Sequence, residues 1–416
     1  MTTSYPPISL STSLDPKIRA LTERVLNEIF RQCDPVQLVN SNFDFTRFTE
    51  SNDPVHVLSI GKASVAMTDA CIKNLGPQFA GGVVLCPTEP LDHPHESIQY
   101  YEVDHPTPTP RNMDATSVLA EYAKSIPHHH ECIVNISGGG SAHLTSPKPG
   151  ITLENIVNTT NALNAEGATI QELNEARRSM DTLKAGGLAR VLSGTQRCET
   201  IVLSDVLSDD LDIIASGPMM TSMMDVVTKV APPISVRHTI VGNHRTALRA
   251  AHDAMESLNA TVTISKSGLS GYASDQGRMI AHSYITEHKI DPNASVIFAG
   301  ETTVDTSTRL SSGIGGPTLE CTLSAALELA TRSETGWIVL GIATDGIDGP
   351  SNSAGAVIFD QMLRTPSIQH AAQSALDTHD TLPFLESLGA IIRTGPTGTN
   401  LNDVCLVCPG IVGAQL

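Results

Sequence analysis

Positive charge is in short supply: 26 Lys and Arg stand against 44 Asp and Glu, for a formal net charge of −18 over 416 residues. So acidic a chain repels phosphate backbones and anionic lipid, which argues against nucleic acid or a membrane surface as main partner. Any anionic substrate must therefore meet a local basic pocket. Long apolar runs are missing as well. Trp337 to Ala343 is among the longest and falls far short of a bilayer span, and the opening MTTSYPPISLSTSL has neither a basic nor an apolar leader segment, so a soluble cytoplasmic protein is expected. Charged residues make up only 17% against 40% hydrophobic, with no fixed-period repeat or low-complexity tract, which excludes collagen, coiled coil and polyampholyte tail. Eight cysteines are too sparse for a disulfide scaffold and are expected reduced. Cys405 and Cys408 form a CxxC, but inside an apolar strand-like run and without a second pair to complete a zinc site. His128, His129 and His130 cannot all turn to one ion from consecutive loop positions, and read as a solvated connector.

What is present is alternation: a short apolar run, a Gly or Ser turn, then a longer stretch of helical period. That pattern predicts an α/β fold with parallel strands and crossover helices, a large Rossmann-like domain over 1–290 and a smaller α/β domain over 291–416 with fewer strands. An opening helix is expected from Pro16 to Cys33, with Ile18, Leu21, Val25, Leu26, Ile29 and Phe30 on one stripe. Strands are expected at 55–60, 81–86, 98–103, 132–137, 200–206, 261–265, 295–300, 337–343 and 404–408. Residues 151–195 read as helical, and Pro218 to His238, with Met223, Met224, Pro232 and Pro233, as an irregular connector.

Ligands in such sheets collect where strands end and helix N-termini present free amides. In SIGKASVAM, Lys62 either points into that crevice or caps its turn; the motif is no Walker A, because His56 stands where the upstream glycine belongs, and GxGxxG is absent. In NISGGGSAH, Ser137, Gly138, Gly139, Gly140 and Ser141 form either an anion cradle or a tight turn. Arg177 and Lys184 are cations that could clamp an anion or merely decorate a helix. LSDVLSDDLDIIASGP packs Asp205, Asp209, Asp210 and Asp212, carboxylates suited to Mg²⁺ or general-base duty, or to a helix start; Asp205, directly at the strand end, is the preferred candidate. GETTVD, GIGGP, ATDGIDGPSNSAG and TGPTGTNLND follow strand candidates with small and hydroxylated residues, as a polyphosphate or nucleotide site would need.

Together these segments resemble the glycerate 2-kinase family, the MOFRL-domain proteins often labelled hydroxypyruvate reductase. The resemblance runs in order through SIGKASVAM, HPTPTP, NISGGGSAHLTSP, the LNAEGATIQELNEARRSMDTLKAGGLA block, LSDVLSDDLDIIASGP, AGETTV, GGPTLE, ATDGIDGPSNSAGA and TGPTGTNLND. It implies ATP-dependent, Mg²⁺-assisted phosphorylation of the 2-hydroxyl of D-glycerate in a cleft between the two domains. By the match, Lys62 neutralises phosphoryl charge, and Asp205 orients or deprotonates the hydroxyl or holds the metal, with Asp209 as the other metal candidate. Ser137 to Ser141, Arg177 and Lys184 receive the substrate's carboxylate or phosphate. Glu301, Thr302, Asp345, Asp348, Asn400 and Asp403 belong to the nucleotide side. The chain departs from the pattern at Pro317 and Thr318, where many members carry Arg and Asn in GGRNQE, and at His143, where leucine is usual. Three consequences are open: Arg309 or another cation substitutes, catalysis is slower, or the acceptor differs. A nicotinamide-dependent reductase and a non-catalytic nucleotide or sugar-acid binder are the alternatives, and a homodimer is left open.

Overall fold

The computed structural model describes residues 7–88, 95–220, 236–264, 268–305 and 313–410; Met223, Met224, Pro232, Pro233 and Arg309 lie outside them. Thirteen strands lie within these residues: β1 (Ser9–Leu10), β2 (Val55–Ile60), β3 (Phe79–Cys86), β4 (Ile98–Glu102), β5 (Glu131–Ile136), β6 (Arg197–Leu203), β7 (Val236–Gly242), β8 (Thr261–Ile264), β9 (Ala294–Gly300), β10 (Trp337–Ala343), β11 (Gly355–Phe359), β12 (Ile391–Arg393) and β13 (Asp403–Pro409). They divide between two sheets in two compact units.

One unit comprises residues 35–243 and 398–400. Its sheet is wholly parallel in the order β4-β3-β2-β5-β6-β7. Strands covered on both faces are mainly apolar, and β5 is buried at all six positions, with Glu131 paired to Arg197 and Asn135 bonded to Ser59 as its polar members. Helix Pro110–Ser125 places Ala115, Leu119 and Ala123 in the core with Leu58, Val83 and Val134. Counted within the sheet, the order is 3-2-1-4-5-6, that of dinucleotide-binding folds, and its direction of growth reverses between β2 and β5. A crevice opens at the carboxyl ends of those two strands, where successive crossovers leave on opposite sides. The SIGK and SGGG turns follow β2 and β5.

The other unit comprises residues 1–34, 244–397 and 401–416. Its sheet is mixed, in the order β1-β12-β11-β10-β13-β9-β8, with only β8 and β9 parallel. The opening helix forms as expected, over Pro16–Gln32: Asp15 caps it by accepting from Lys17 N (2.9 Å), Pro16 occupies the first turn, and the predicted stripe is buried except at Ile18, which is half-buried. It packs on helix His244–Glu256 of the same unit. The units are thus discontinuous in sequence, whereas the reading above drew one linear boundary at 290.

Two strand expectations need correction. The segment read as a connector up to His238 gives way to β7 from Val236, whose VRHTIVG lacks the solid apolar run of its neighbours because it is an edge strand. The C-terminal sheet has more strands than expected: β1 and β12, of two and three residues, are too short for periodicity to reveal, and β11 directly follows the small-residue loop ATDGIDGPSNSA. Residues 151–195 are helical as read, with helices Leu153–Ala165, Ile170–Met180 and Gly187–Val191.

Candidate active site

The turns after β2 and β5 are locked together. Lys62 N donates to Gly138 O (2.8 Å), Ala63 N to Ser137 Oγ (3.0 Å), and Ser137 N to Ile60 O (3.0 Å). Gly61 has φ +112°, and a Cβ there would meet Ser137 O at 2.5 Å, so only glycine permits this approach. Ser137 thus spends its hydroxyl on fixing the turn. The N–H groups of Gly138, Gly139 and Ser141 donate to no described residue, a concave set of amides suited to an anion.

Side chains from four more segments surround this turn. A Cβ on Gly138 would lie 2.6 Å from Asp205 Oδ2 and 2.7 Å from Asn400 Nδ2. One on Gly139 would lie 3.0 Å from the His105 ring and 3.5 Å from Lys62 Cγ. Lys62 and Asp205 are both half-buried. His143, fully buried beneath the turn, has its ring centroid 6.0 Å from that of His105. Burial first, then the charges of His105 and Lys62, push its pKa down to about 3, so the imidazole is neutral at physiological pH.

A polar relay extends from Ser141. Its hydroxyl lies 2.9 Å from Ser216 Oγ, which donates to Asn174 Oδ1 (2.6 Å). Ala215 and Ser216 hold positive φ of 50° and 62°, a strained backbone that presses Ala215 Cβ against Gly140. Arg177 follows Asn174 by three residues and so shares its helix face. It makes no hydrogen bond or ion pair among the described residues, and burial lowers its pKa. A half-buried guanidinium with no partner among the described residues has the chemistry to receive a carboxylate or phosphate.

Lys184 lies elsewhere than its expected role requires. Buried to 4% exposure, its ammonium donates to Leu144 O (2.6 Å) and Asp181 Oδ2 (3.2 Å). Asp181 also accepts from the N–H groups of Ser146, Leu183 and Lys184. The pair buttresses the chain leaving the glycine turn. Of the acids after β6, Asp212 pairs with Arg178 (3.1 Å) and Asp210 accepts from Asp212 N (2.9 Å). Asp209, at φ 53°, accepts from Asn243 with Oδ2 while its buried Oδ1 has no partner among the described residues.

In the other unit β13 runs antiparallel between β9 and β10, so Asp403 pairs in register with both Gly300 and Ala343. That register gathers Glu301, Asp345, Asp348 and Asp403 at one end of the sheet. Burial raises Asp403 well above the usual carboxylate range, with Asp348, Glu301 and Asp345 adding repulsion. Asp348 is pushed up to about 6, again mainly by burial, although its oxygens accept from Thr318 N (2.9 Å) and Leu319 N (2.8 Å). It therefore caps helix Pro317–Thr331. Asn402 donates to Glu301 (3.4 Å), and Thr302 is buried beside them in sequence. Asn400, expected with this group, counts with the parallel-sheet unit and lies by Gly138. Pro317 opens the helix at its first turn, and one turn on Glu320 accepts from His379 Nδ1 (2.9 Å).

The metal readings excluded from sequence find no support among the described residues. His130 Nδ1 lies 2.9 Å from His56 Nε2 while His128 Nδ1 approaches Gly194 O, and Cys405 and Cys408 are buried strand residues. Sequence reasoning passed over Asn174, Ser216 and His105. The ASGP and HPTPTP motifs carried the last two, but nothing in the sequence signalled that their side chains meet the glycine turn.

Residues 21–249 match the family described as a domain of unknown function (DUF4147), and residues 294–403 match the MOFRL family. The chain is 30% identical to a D-glycerate 2-kinase of Thermotoga maritima over 85% of its length and 90% of that protein's. It is 31% identical to a putative hydroxypyruvate reductase of Agrobacterium vitis over 85% and 99%. The crystal structure of the Thermotoga maritima glycerate kinase superposes with a TM-score of 0.79 at 28% identity, covering 95% of this chain and all of that one.

Proposed function

The chain belongs to the glycerate 2-kinase family, and we propose that it transfers the terminal phosphoryl group of ATP to the 2-hydroxyl of D-glycerate, giving 2-phosphoglycerate and ADP. The observation that carries this reading is the convergence at the β2/β5 switch point of a lysine, a carboxylate and backbone amides that donate to no described residue, with an arginine that has no partner among the described residues on the helix face beside Asn174. Phosphoryl transfer asks little covalent work of a protein. It needs positive charge on the moving group and an alcohol held in line.

In this reading the glycine-turn amides and Lys62 take the charge of the transferring phosphoryl group. Arg177 holds the substrate carboxylate, with Ser141, Ser216 and Asn174 bonding its hydroxyls. Asp205 accepts the proton of the 2-hydroxyl. His143, held neutral, adds no charge beneath the turn. Glu301, Thr302, Asp345 and Asp403 serve the nucleotide. The donors also fit a divalent cation: Asp209 Oδ1 is a buried carboxylate oxygen with no partner among the described residues, and hard oxygen ligands match Mg²⁺. Asp209 would hold that ion, whose chemistry is to neutralise phosphate charge.

A nicotinamide-dependent reduction finds less support. The first βα turn of a 3-2-1-4-5-6 sheet is where a dinucleotide fold carries GxGxxG, and here it reads Ser59-Ile60-Gly61-Lys62-Ala63-Ser64. A non-catalytic binder has no use for Lys62 and Asp205 at one turn. The test is coupled ADP release with a panel of 2-hydroxy acids. Release is expected with D-glycerate and its loss in Lys62→Ala, at unchanged circular dichroism; no release with any acid would sink the proposal.

A further inference from the structure

The parallel-sheet unit carries a second concavity that the proposed chemistry does not use. It is an open groove of about 570 Å³, within the size range of small-molecule sites, walled by helix Pro110–Ser125, by Thr145–Pro147 and by the chain from Thr182 to Val191. None of Lys62, Gly138 to Ser141, Arg177, Asp205 or Asn400 lines it.

Its chemistry is mixed in a particular way. Lys124 and Arg190 bring two cations to the walls of a protein whose net charge is −18, against one carboxylate, Glu121. Hydroxyls come from Ser117, Ser146 and Thr182, with Ser146 Oγ and Thr182 Oγ1 2.7 Å apart. Met113, Ala120, Leu183 and Val191 add apolar surface. Apolar patches between hydroxyls suit the carbon face of a polyol, and the cations suit an anionic group at its end. We propose that this groove is a second ligand site, for a small polyhydroxylated anion such as a sugar phosphate.

The groove floor is wired to the glycine turn within the same unit. Thr182 N donates to Ser146 O (2.8 Å), Ser146 N to Asp181, and Asp181 pairs with the Lys184 ammonium that holds Leu144 O. On the other wall Arg190 donates to Ala185 O (3.1 Å), and Ala185 N donates to Ser216 O (3.1 Å), the residue bonded to Ser141. An anion that draws Arg190 away from Ala185 therefore acts on the backbone beneath Ser216. The site is suited to an effector. Its existence does not depend on which reaction the glycine turn serves.

All eight cysteines are buried, so Ser117→Cys would place a single exposed thiol in the groove of the full-length chain. Ribose 5-phosphate is the probe, and its slowing of iodoacetamide modification the readout. Protection is expected at submillimolar concentration, with ribose or inorganic phosphate alone needing roughly tenfold more. Lys124 is exposed and its pair with Glu121 (2.7 Å) is worth little to the fold, so Lys124→Ala should weaken protection roughly tenfold without unfolding the protein. Glu121→Gln, which removes the opposing charge, should strengthen it. Protection should persist in Lys62→Ala. No protection at about 10 mM probe, protection indifferent to both groove variants, or protection lost in Lys62→Ala would overturn the proposal.

Discussion

Gly138→Ala isolates the geometry of the site from the stability of the fold. A methyl group there would meet Asp205 Oδ2 at 2.6 Å and Asn400 Nδ2 at 2.7 Å, both ends of side chains rather than backbone. Restoring an ordinary contact of 3.4 Å moves the carboxylate about 0.8 Å. Gly138 is not among the residues with positive φ, so alanine brings no left-handed strain. The chain should still fold, with a melting temperature lowered by no more than about 10 °C, because adding a methyl at a packed buried site costs about 1–3 kcal/mol. Catalysis should suffer far more: a displacement of nearly 1 Å at a reacting group costs up to roughly 100-fold, so kcat for glycerate should fall about 30- to 100-fold. Gly61→Ala is the contrast. Its Cβ would strike Ser137 backbone at φ +112°, and that variant should fail in stability before activity can be read. Steady-state kinetics on folded Gly138→Ala protein decides the matter. A kcat within threefold of the parent would refute the placement of Asp205 at the reacting hydroxyl.

Other perturbations separate roles that sequence alone runs together. Lys184→Met leaves Asp181 buried without its cation and should cost about 3–5 kcal/mol in urea unfolding, whereas a mere substrate contact would cost almost none. Arg177→Ala should raise KM for glycerate well over tenfold and leave stability equal or better, since its guanidinium lacks a partner among the described residues; a large loss of stability would speak for a structural role. Asp348 has a folded pKa of about 6, above the usual carboxylate value, so the folded state holds that proton more tightly. Its penalty is absent below about pH 4 and grows as pH rises through 6, up to about 3 kcal/mol. Unfolding free energy should accordingly fall less steeply between about pH 4.5 and about pH 7.5 in Asp348→Asn than in the parent chain, and equal slopes would argue against the raised carboxyl.

The parallel sheet was legible because strands covered on both faces cannot alternate: VHVLSI and CIVNIS announce themselves. β7 and β12 were not, because an edge strand or a three-residue strand carries too few apolar positions to set a period, and β11 follows the loop SNSAG so closely that it read as part of it. In the site, Lys62, the glycine turn and Asp205 could be found because each ends a strand, and strand ends converge whatever the side chains. Lys184 and Asp348 could not be assigned from sequence, since a cation facing ligand and one neutralised by Asp181 read identically until the partner is seen. Asn400 was grouped with the residues around it in the chain, which tertiary structure does not respect.

That last point has a practical side. The chain changes unit after residues 34, 243, 397 and 400, so no single cut returns two whole bodies. A protein ending at 290 would keep Lys62, the three glycines and Asp205 but forfeit Asn400, and one starting at 291 would lack both the opening helix and the helix it lies on. Truncation, gene splitting and domain exchange at the obvious boundary should each yield insoluble or inert halves, and shuffling between relatives would have to carry both ends of the gene together.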